Sequence, residues 1–185
     1  MGNFKSFLTL YNLLTDTISL TKLDRIILDI LATHPVHGNN KVYVCGNGGS
    51  FATAQHFAQD LCKINQIDAE CLGSNPSQLT AYANDNGYSN ALVDELDNKV
   101  VRDGDMLIVI SCSGNSMNTI KVAYSMAGLS DNMVIGLLGG DGGEVAQYCA
   151  ETIIIPSKRF DFIEPIHSLL CHYIVTEIKE RLLYA

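Results

Sequence analysis

The chain predicts a doubly wound α/β sandwich, a five-stranded parallel sheet with helices on both faces, behind a helical N-terminal extension. Three observations predict it. Five short runs, most of them dominated by Val and Ile, are nearly continuous in hydrophobicity, the pattern of strands buried on both faces. Segments long enough for helices separate them, as parallel strands require. Two small-residue turns, Cys45-Gly-Asn-Gly-Gly-Ser50 and Ser111-Cys-Ser-Gly-Asn-Ser116, each follow such a run and precede a helical segment. That places both at the carboxyl ends of strands, where this architecture binds ligands.

The elements follow in order. Residues 3–34 carry apolar side chains at helical spacing: Phe4, Phe7, Leu8, Tyr11 and Leu14, then Ile18, Leu23, Ile26, Ile27, Ile30 and Leu31. Pro35 and Gly38-Asn39-Asn40 end this region. Strands are expected at 41–45, 67–72, 106–111, 133–138 and 151–156. Helices are expected at 50–65, 77–84, 88–100, 116–128, 142–149 and 164–183. No linker or low-complexity tract divides the chain, so residues 1–185 read as one domain.

Composition narrows the function classes. The chain is 47% hydrophobic and 17% charged, as globular proteins are. Its formal charge of −8 and the lack of any Lys/Arg cluster longer than a pair argue against nucleic acid or a membrane surface as partner. No apolar run approaches the ~18 residues of a membrane span, and the start lacks a signal-peptide pattern. The six cysteines form no CxxC pair and read as free thiols in a reducing cytoplasm.

The two turns suit a phosphorylated small molecule. Such loops offer backbone N–H groups and hydroxyls where a helix N-terminus favours negative charge. A dinucleotide fingerprint fails because Phe51 holds the place of its third glycine, and no Gly-Lys-Ser/Thr of a P-loop exists, so no nucleotide cofactor is expected. Ser50 and Ser116 stand where helices begin and read equally as ordinary N-caps. Three serines in the second turn favour binding. Asn84-Asp85-Asn86-Gly87 is a third polar segment, either a carboxylate for sugar hydroxyls or an Asx-type turn.

The ionisable residues form two sets. His56 and Asp60, four apart, share one helix face and suit metal ligation or proton transfer. Glu164, His167 and His172 lie near the start of the last helix, which Pro165 suggests begins there. His167 and His172 point ~140° apart at ~100° per residue, so at most one of them faces a shared site.

Together these residues carry a resemblance. Cys45-Gly-Asn-Gly-Gly-Ser50 with Ala54-Gln-His56-Phe-Ala-Gln-Asp60-Leu resembles the first signature of the phosphoheptose isomerases, members of the sugar isomerase (SIS) superfamily. Ser111–Ser116 resembles their phosphate loop, Asn84-Asp85 the polar pair before it, and Asp161 with Ile163–His172 their last signature. The resemblance implies a SIS domain of flavodoxin-like topology. It implies cytoplasmic homotetramers whose N-terminal helices (here 3–34) help assembly, with active sites at subunit interfaces. It also implies isomerisation of sedoheptulose 7-phosphate to D-glycero-D-manno-heptose 7-phosphate, for bacterial surface polysaccharide. A zinc ion in each site would fall to His56, Asp60, Glu164 and His172, and proton transfer to Asp60 and His172. Substrate contacts would fall to Asn47, Gly48, Gly49, Ser50, Asp85, Ser111, Cys112, Ser113, Ser116 and Asp161.

Four positions depart from the family pattern. Asp60 stands for Glu, Glu164 for Gln, Phe51 for a frequent His, and Ile64 for a basic residue that Lys63 next door can replace. These departures define the alternatives: an isomerase of another sugar phosphate, or a non-catalytic SIS module that binds phosphosugars or regulates replication initiation. A pure sensor needs the phosphate loop but no proton-transfer pair, so the retained His56, Asp60 and His172 favour catalysis.

Overall fold

A computed structural model describes residues 3–38, 40–129 and 131–184. Asn39 of the expected helix stop lies outside them. The chain begins with α1 (Phe4–Thr15) and α2 (Leu20–Ala32), followed by β1 (Val42–Gly46), α3 (Gly49–Asn65) and β2 (Ala69–Cys71). Then come α4 (Pro76–Asn86), α5 (Ala91–Asp97), β3 (Met106–Ser111), α6 (Met117–Ala127) and β4 (Met133–Gly139). A 3₁₀ helix (Glu144–Tyr148), β5 (Glu151–Ile155) and α7 (Phe160–Tyr184) complete it.

The strands form one parallel sheet in the order β2-β1-β3-β4-β5. This is the doubly wound topology with its switch point between β1 and β3. In register, Gly46 stands beside Ile110, and Ser111 beside Leu138, so the two small-residue turns leave adjacent strands at the same edge. Strand side chains alternate between two cores. Val44, Ile108 and Ile110 pack with Ile26, Phe57, Leu61, Phe162 and Ile174 of α2, α3 and α7. Tyr43, Leu107 and Val109 pack with Leu92 and Leu96 of α5 and Val122 and Met126 of α6.

Ser19 caps α2 by accepting from Lys22 N, and α2 buries Leu23, Ile26, Ile27 and Ile30. α1 is attached more lightly, through Leu14 and through Phe7, whose ring stacks on Phe162 at 4.4 Å.

Four expected helices differ. The 88–100 segment contracts to α5, because the chain turns at Gly87–Asn90 and again at Asn98. The 77–84 segment extends to Asn86, so Asp85 lies in the last turn of α4 rather than in a loop. The 142–149 segment is a 3₁₀ helix after Gly142 and Gly143, both at positive φ. α7 begins at Phe160, where the Arg159 carbonyl accepts from Phe162 N and Ile163 N (both 3.1 Å). Pro165 therefore sits in the second turn, and its missing N–H leaves the Asp161 carbonyl without its helical partner.

Candidate active site

The first turn enters α3 through Gly48, the N-cap residue at φ +56, whose carbonyl accepts from Phe51 N and Ala52 N. Ser50 is the second residue of the helix, buried, and caps nothing; its Oγ lies 3.9 Å from Cys112 Sγ. The Asn47 side chain is engaged through both its nitrogen and its oxygen. Its amide exchanges two 2.9 Å hydrogen bonds with Asn118 of α6, and its Oδ1 also accepts from the Tyr88 hydroxyl at 2.7 Å. Asn118 and Tyr88 are site residues that sequence reasoning missed. The available signal for Asn118 was an amide placed two residues after Ser116, in the first turn of the helix that follows the serine turn.

The second turn is organised by its own side chains. Ser111 Oγ accepts from Gly114 N (3.0 Å), and Ser113 Oγ from Asn115 N (3.2 Å). The Asn115 amide donates to Ser113 O and accepts from Glu144 N. Ser116 is the N-cap residue of α6 by backbone position, yet its side chain makes no capping bond. The hydroxyls of Ser50 and Ser116 are thus not spent on helix ends. Thr119 N is taken by Asn118 Oδ1 and the Ser116 carbonyl (both 3.0 Å), which leaves the N–H groups of Met117 and Asn118 at the start of α6. An anion at this turn would meet those two together with the hydroxyls of Ser50 and Ser116.

Cys112 stays a thiol. Burial raises its pKa, the Ser50 contact lowers it, and Glu164 raises it again. All six cysteines are free.

His56, Asp60 and His172 come together. His56 Nε2 lies 3.4 Å and His172 Nδ1 3.6 Å from Asp60 Oδ2, and the two rings meet edge to face at 4.9 Å. The i,i+4 spacing on α3 supplies two members, and the packing of α7 against α3 supplies the third. One ligand atom from each lies within 4.8 Å of the others. Asp60 is sheltered while both imidazoles are about half exposed. Two nitrogens and one carboxylate oxygen suit zinc with an open position. His167, five residues before His172, is wholly buried on another face of α7.

Glu164 stands apart from this cluster, ~12 Å along α7 from His172 at 1.5 Å per residue. Its carboxylate lies against Gly49, where an added Cβ would come within 2.5 Å of Oε2, and 3.9 Å from Cys112 Sγ. It lies between the two turns. Asp161 is exposed and paired with Arg159 (Nε 3.1 Å, Nη2 2.5 Å), which holds its carboxyl below the usual range. Asp85 is exposed and accepts from the Asn84 amide at 3.1 Å.

Two cavities matter. One of about 490 Å³ opens at the carboxyl ends of β3, β4 and β5, lined by Cys112, Ser113 and Asn115, Gly140 and Asp141, and Pro156 to Lys158. The space at the His–Asp–His cluster is only about 10 Å³. Of these two, the cavity beside the serine turn has room for a sugar and the space at the cluster does not.

Comparison with known proteins assigns the family. The SIS domain model matches residues 14–139, from the end of α1 through β4. The phosphoheptose isomerase of Fusobacterium nucleatum is 36% identical over 148 residues, covering 78% of this chain and 75% of that protein. That of Mycobacterium tuberculosis is 37% identical over 147 residues, covering 77% and 74%. Among solved structures, the Neisseria gonorrhoeae phosphoheptose isomerase superposes with TM-score 0.79 at 32% identity over 87% of this chain and 86% of its own. The Francisella tularensis enzyme reaches TM-score 0.85 at 26% identity over 96% and 94%. Likeness of this extent in both sequence and fold has one reading: the chain belongs to the phosphoheptose isomerase family of SIS-domain proteins.

Proposed function

We propose that the protein is an aldose–ketose isomerase that converts sedoheptulose 7-phosphate to D-glycero-D-manno-heptose 7-phosphate. It would act in the cytoplasm, supplying heptose for surface polysaccharide. The observation that carries the reading is the carboxylate of Asp60 held between two imidazoles, a proton-transfer group that a mere phosphosugar sensor does not need. Family membership supports the substrate.

The reaction moves a proton between adjacent carbons through an enediol(ate). Asp60 takes the proton from the carbon beside the carbonyl and returns it to the neighbouring carbon. His172 passes protons to and from the sugar oxygens as the carbonyl moves. The turn at Ser111–Ser116, with Ser50, anchors the remote phosphate, and that binding energy orients the reacting carbons. Asp85, Asp161 and the Asn47–Gly49 backbone stand for the sugar hydroxyls.

His56, Asp60 and His172 are the residues to hold zinc; Glu164, the fourth ligand that the resemblance implied, stands apart from them between the two turns. When bound, zinc would polarise the carbonyl and stabilise negative charge on the enediolate oxygen.

We also propose that active sites are shared between subunits of a homotetramer. Asp60 lies ten residues beyond Ser50, ~15 Å along α3, and the small space at the cluster cannot enclose a sugar. A neighbouring copy that covers the cluster would supply the missing walls.

The test is turnover of sedoheptulose 7-phosphate by the purified protein, with and without zinc, followed by NMR of the aldose product. Asp60→Asn and His172→Ala are expected to lower kcat by about a hundredfold or more. Unchanged turnover in both variants would sink the assignment of the base. Saturable binding without turnover would point to another sugar phosphate or to a sensor.

A further inference from the structure

We infer that Lys158 is a substrate-positioning residue, supplying from the β5 side the cation that the serine turn lacks and meeting the substrate's phosphate there. The inference rests on the isomerase reading only in taking the ligand to be a phosphorylated sugar.

Neither small-residue turn contains Lys or Arg, and the chain carries a formal charge of −8. Glu164 adds a carboxylate between the turns. A phosphate bound by hydroxyls and amides alone would meet this negative surround without a compensating charge. Lys158 is the one basic side chain lining the cavity of about 490 Å³ that it shares with Ser113 and Asn115 of the turn.

Its charge is uncommitted. Among the described residues Lys158 makes no ion pair, whereas its neighbour Arg159 is taken by Asp161. Asp141 lines the same cavity, but its carboxylate accepts from Gly143 N at 3.1 Å and forms no ion pair with Lys158.

The backbone beneath the lysine is fixed. Ser157 N donates to Ile155 O at 2.7 Å, and Ser157 O accepts from Gly140 N at 2.9 Å. The ammonium therefore swings on a flexible stem from an anchored base, as a point charge that reaches a phosphate oxygen without demanding one geometry. An exposed lysine held at the mouth of a cavity lined by a phosphate-type turn has a use there that solvation alone does not explain.

The test uses the full chain and the variants Lys158→Gln, Lys158→Ala and Lys158→Arg. The readouts are KM and kcat for sedoheptulose 7-phosphate, and the dissociation constant of inorganic phosphate by calorimetry. Lys158→Gln keeps most of the stem, so its loss is one of charge rather than packing. Loss of the charge is expected to raise KM about tenfold and to weaken phosphate similarly, with kcat within about twofold. Lys158→Arg should restore both to within about threefold of the parent. The salt dependence of KM should also flatten in Lys158→Gln.

Unchanged KM and phosphate affinity in Lys158→Gln would overturn the inference, as would equal losses in the Gln and Arg variants. If the parent protein binds phosphate but does not turn over the heptulose, the substrate reading fails and the phosphate comparison alone decides Lys158. If the parent shows neither binding nor turnover, both fall.

Discussion

His167 is wholly buried in α7, and among the described residues neither ring nitrogen has a hydrogen-bond partner. Burial keeps the ring neutral and pushes its pKa down to about 4, an effect that the nearby Leu138 carbonyl opposes. In the unfolded chain the ring takes a proton near its ordinary value of about 6.5. Between those values the unfolded state binds the extra proton, so this contribution is complete above pH ~6.5, falls as pH drops and levels off below ~4. The span is worth about 3 kcal/mol. Urea unfolding at pH 7.5 and 4.5 should show this loss in the parent and a smaller one in His167→Leu; equal losses would refute the assignment. His56 with Asp60, and the separation of His167 from His172, were legible because helical geometry alone sets them. The bonds from Asn47 to Tyr88 and Asn118 were not. They span 41 and 71 residues, and no local pattern specifies which distant hydroxyl or amide will meet an asparagine.

At the scale of elements, the phosphate-type turn depends on its fit against the loop after β4. Gly114 sits at φ +63, and a Cβ there would collide with the Gly142 carbonyl oxygen. Gly143 sits at φ +58, and its added Cβ would collide with Ser113 O. Val145 N donates to Gly114 O at 2.9 Å, tying the same two segments together. Gly114→Ala therefore combines a strained backbone with a backbone collision. It should cost about 2 kcal/mol or more and lower Tm by about 4–8 °C. Inorganic phosphate binding should weaken with it, whereas Gly87→Ala, equally left-handed at φ +83 but with open space around its Cβ, should lower Tm without that loss. Phosphate affinity retained in Gly114→Ala would show that the turn tolerates displacement. The strands were legible because apolar β-branched runs mark a parallel sheet from sequence alone. The helix ends were less so. Pro165 suits a first turn, but the sequence does not show that Arg159 caps the helix a full turn earlier or that the Asp161 carbonyl is left free.

At the scale of the whole molecule, α1 poses the remaining question. Its anchors are Leu14 and the stacking of Phe7 on Phe162, while Phe4 is 74% and Leu13 59% exposed. Leu20 at the start of α2 is 76% exposed. An apolar helix surface of this kind is a contact surface when it is contiguous, and under the shared-site proposal assembly would supply the walls that the cramped His–Asp–His cluster lacks. The N-terminal segment read as an assembly element from the family resemblance; its helical spacing alone showed two helices and not which faces they leave open. Phe4→Asp combined with Leu13→Asp should weaken self-association, read as a fall in mass by light scattering. It should leave the circular dichroism spectrum unchanged, because neither side chain belongs to the core. If neighbouring copies complete the active site, turnover should drop at least about tenfold in the dissociated variant and recover as protein concentration drives reassembly. A dissociated variant with full turnover would instead place the entire reaction within one chain, with Asp60 acting on a sugar that only the solvent covers. The concentration dependence separates these cases. A site complete in one chain has a specific activity independent of concentration, whereas a shared site follows the assembly equilibrium.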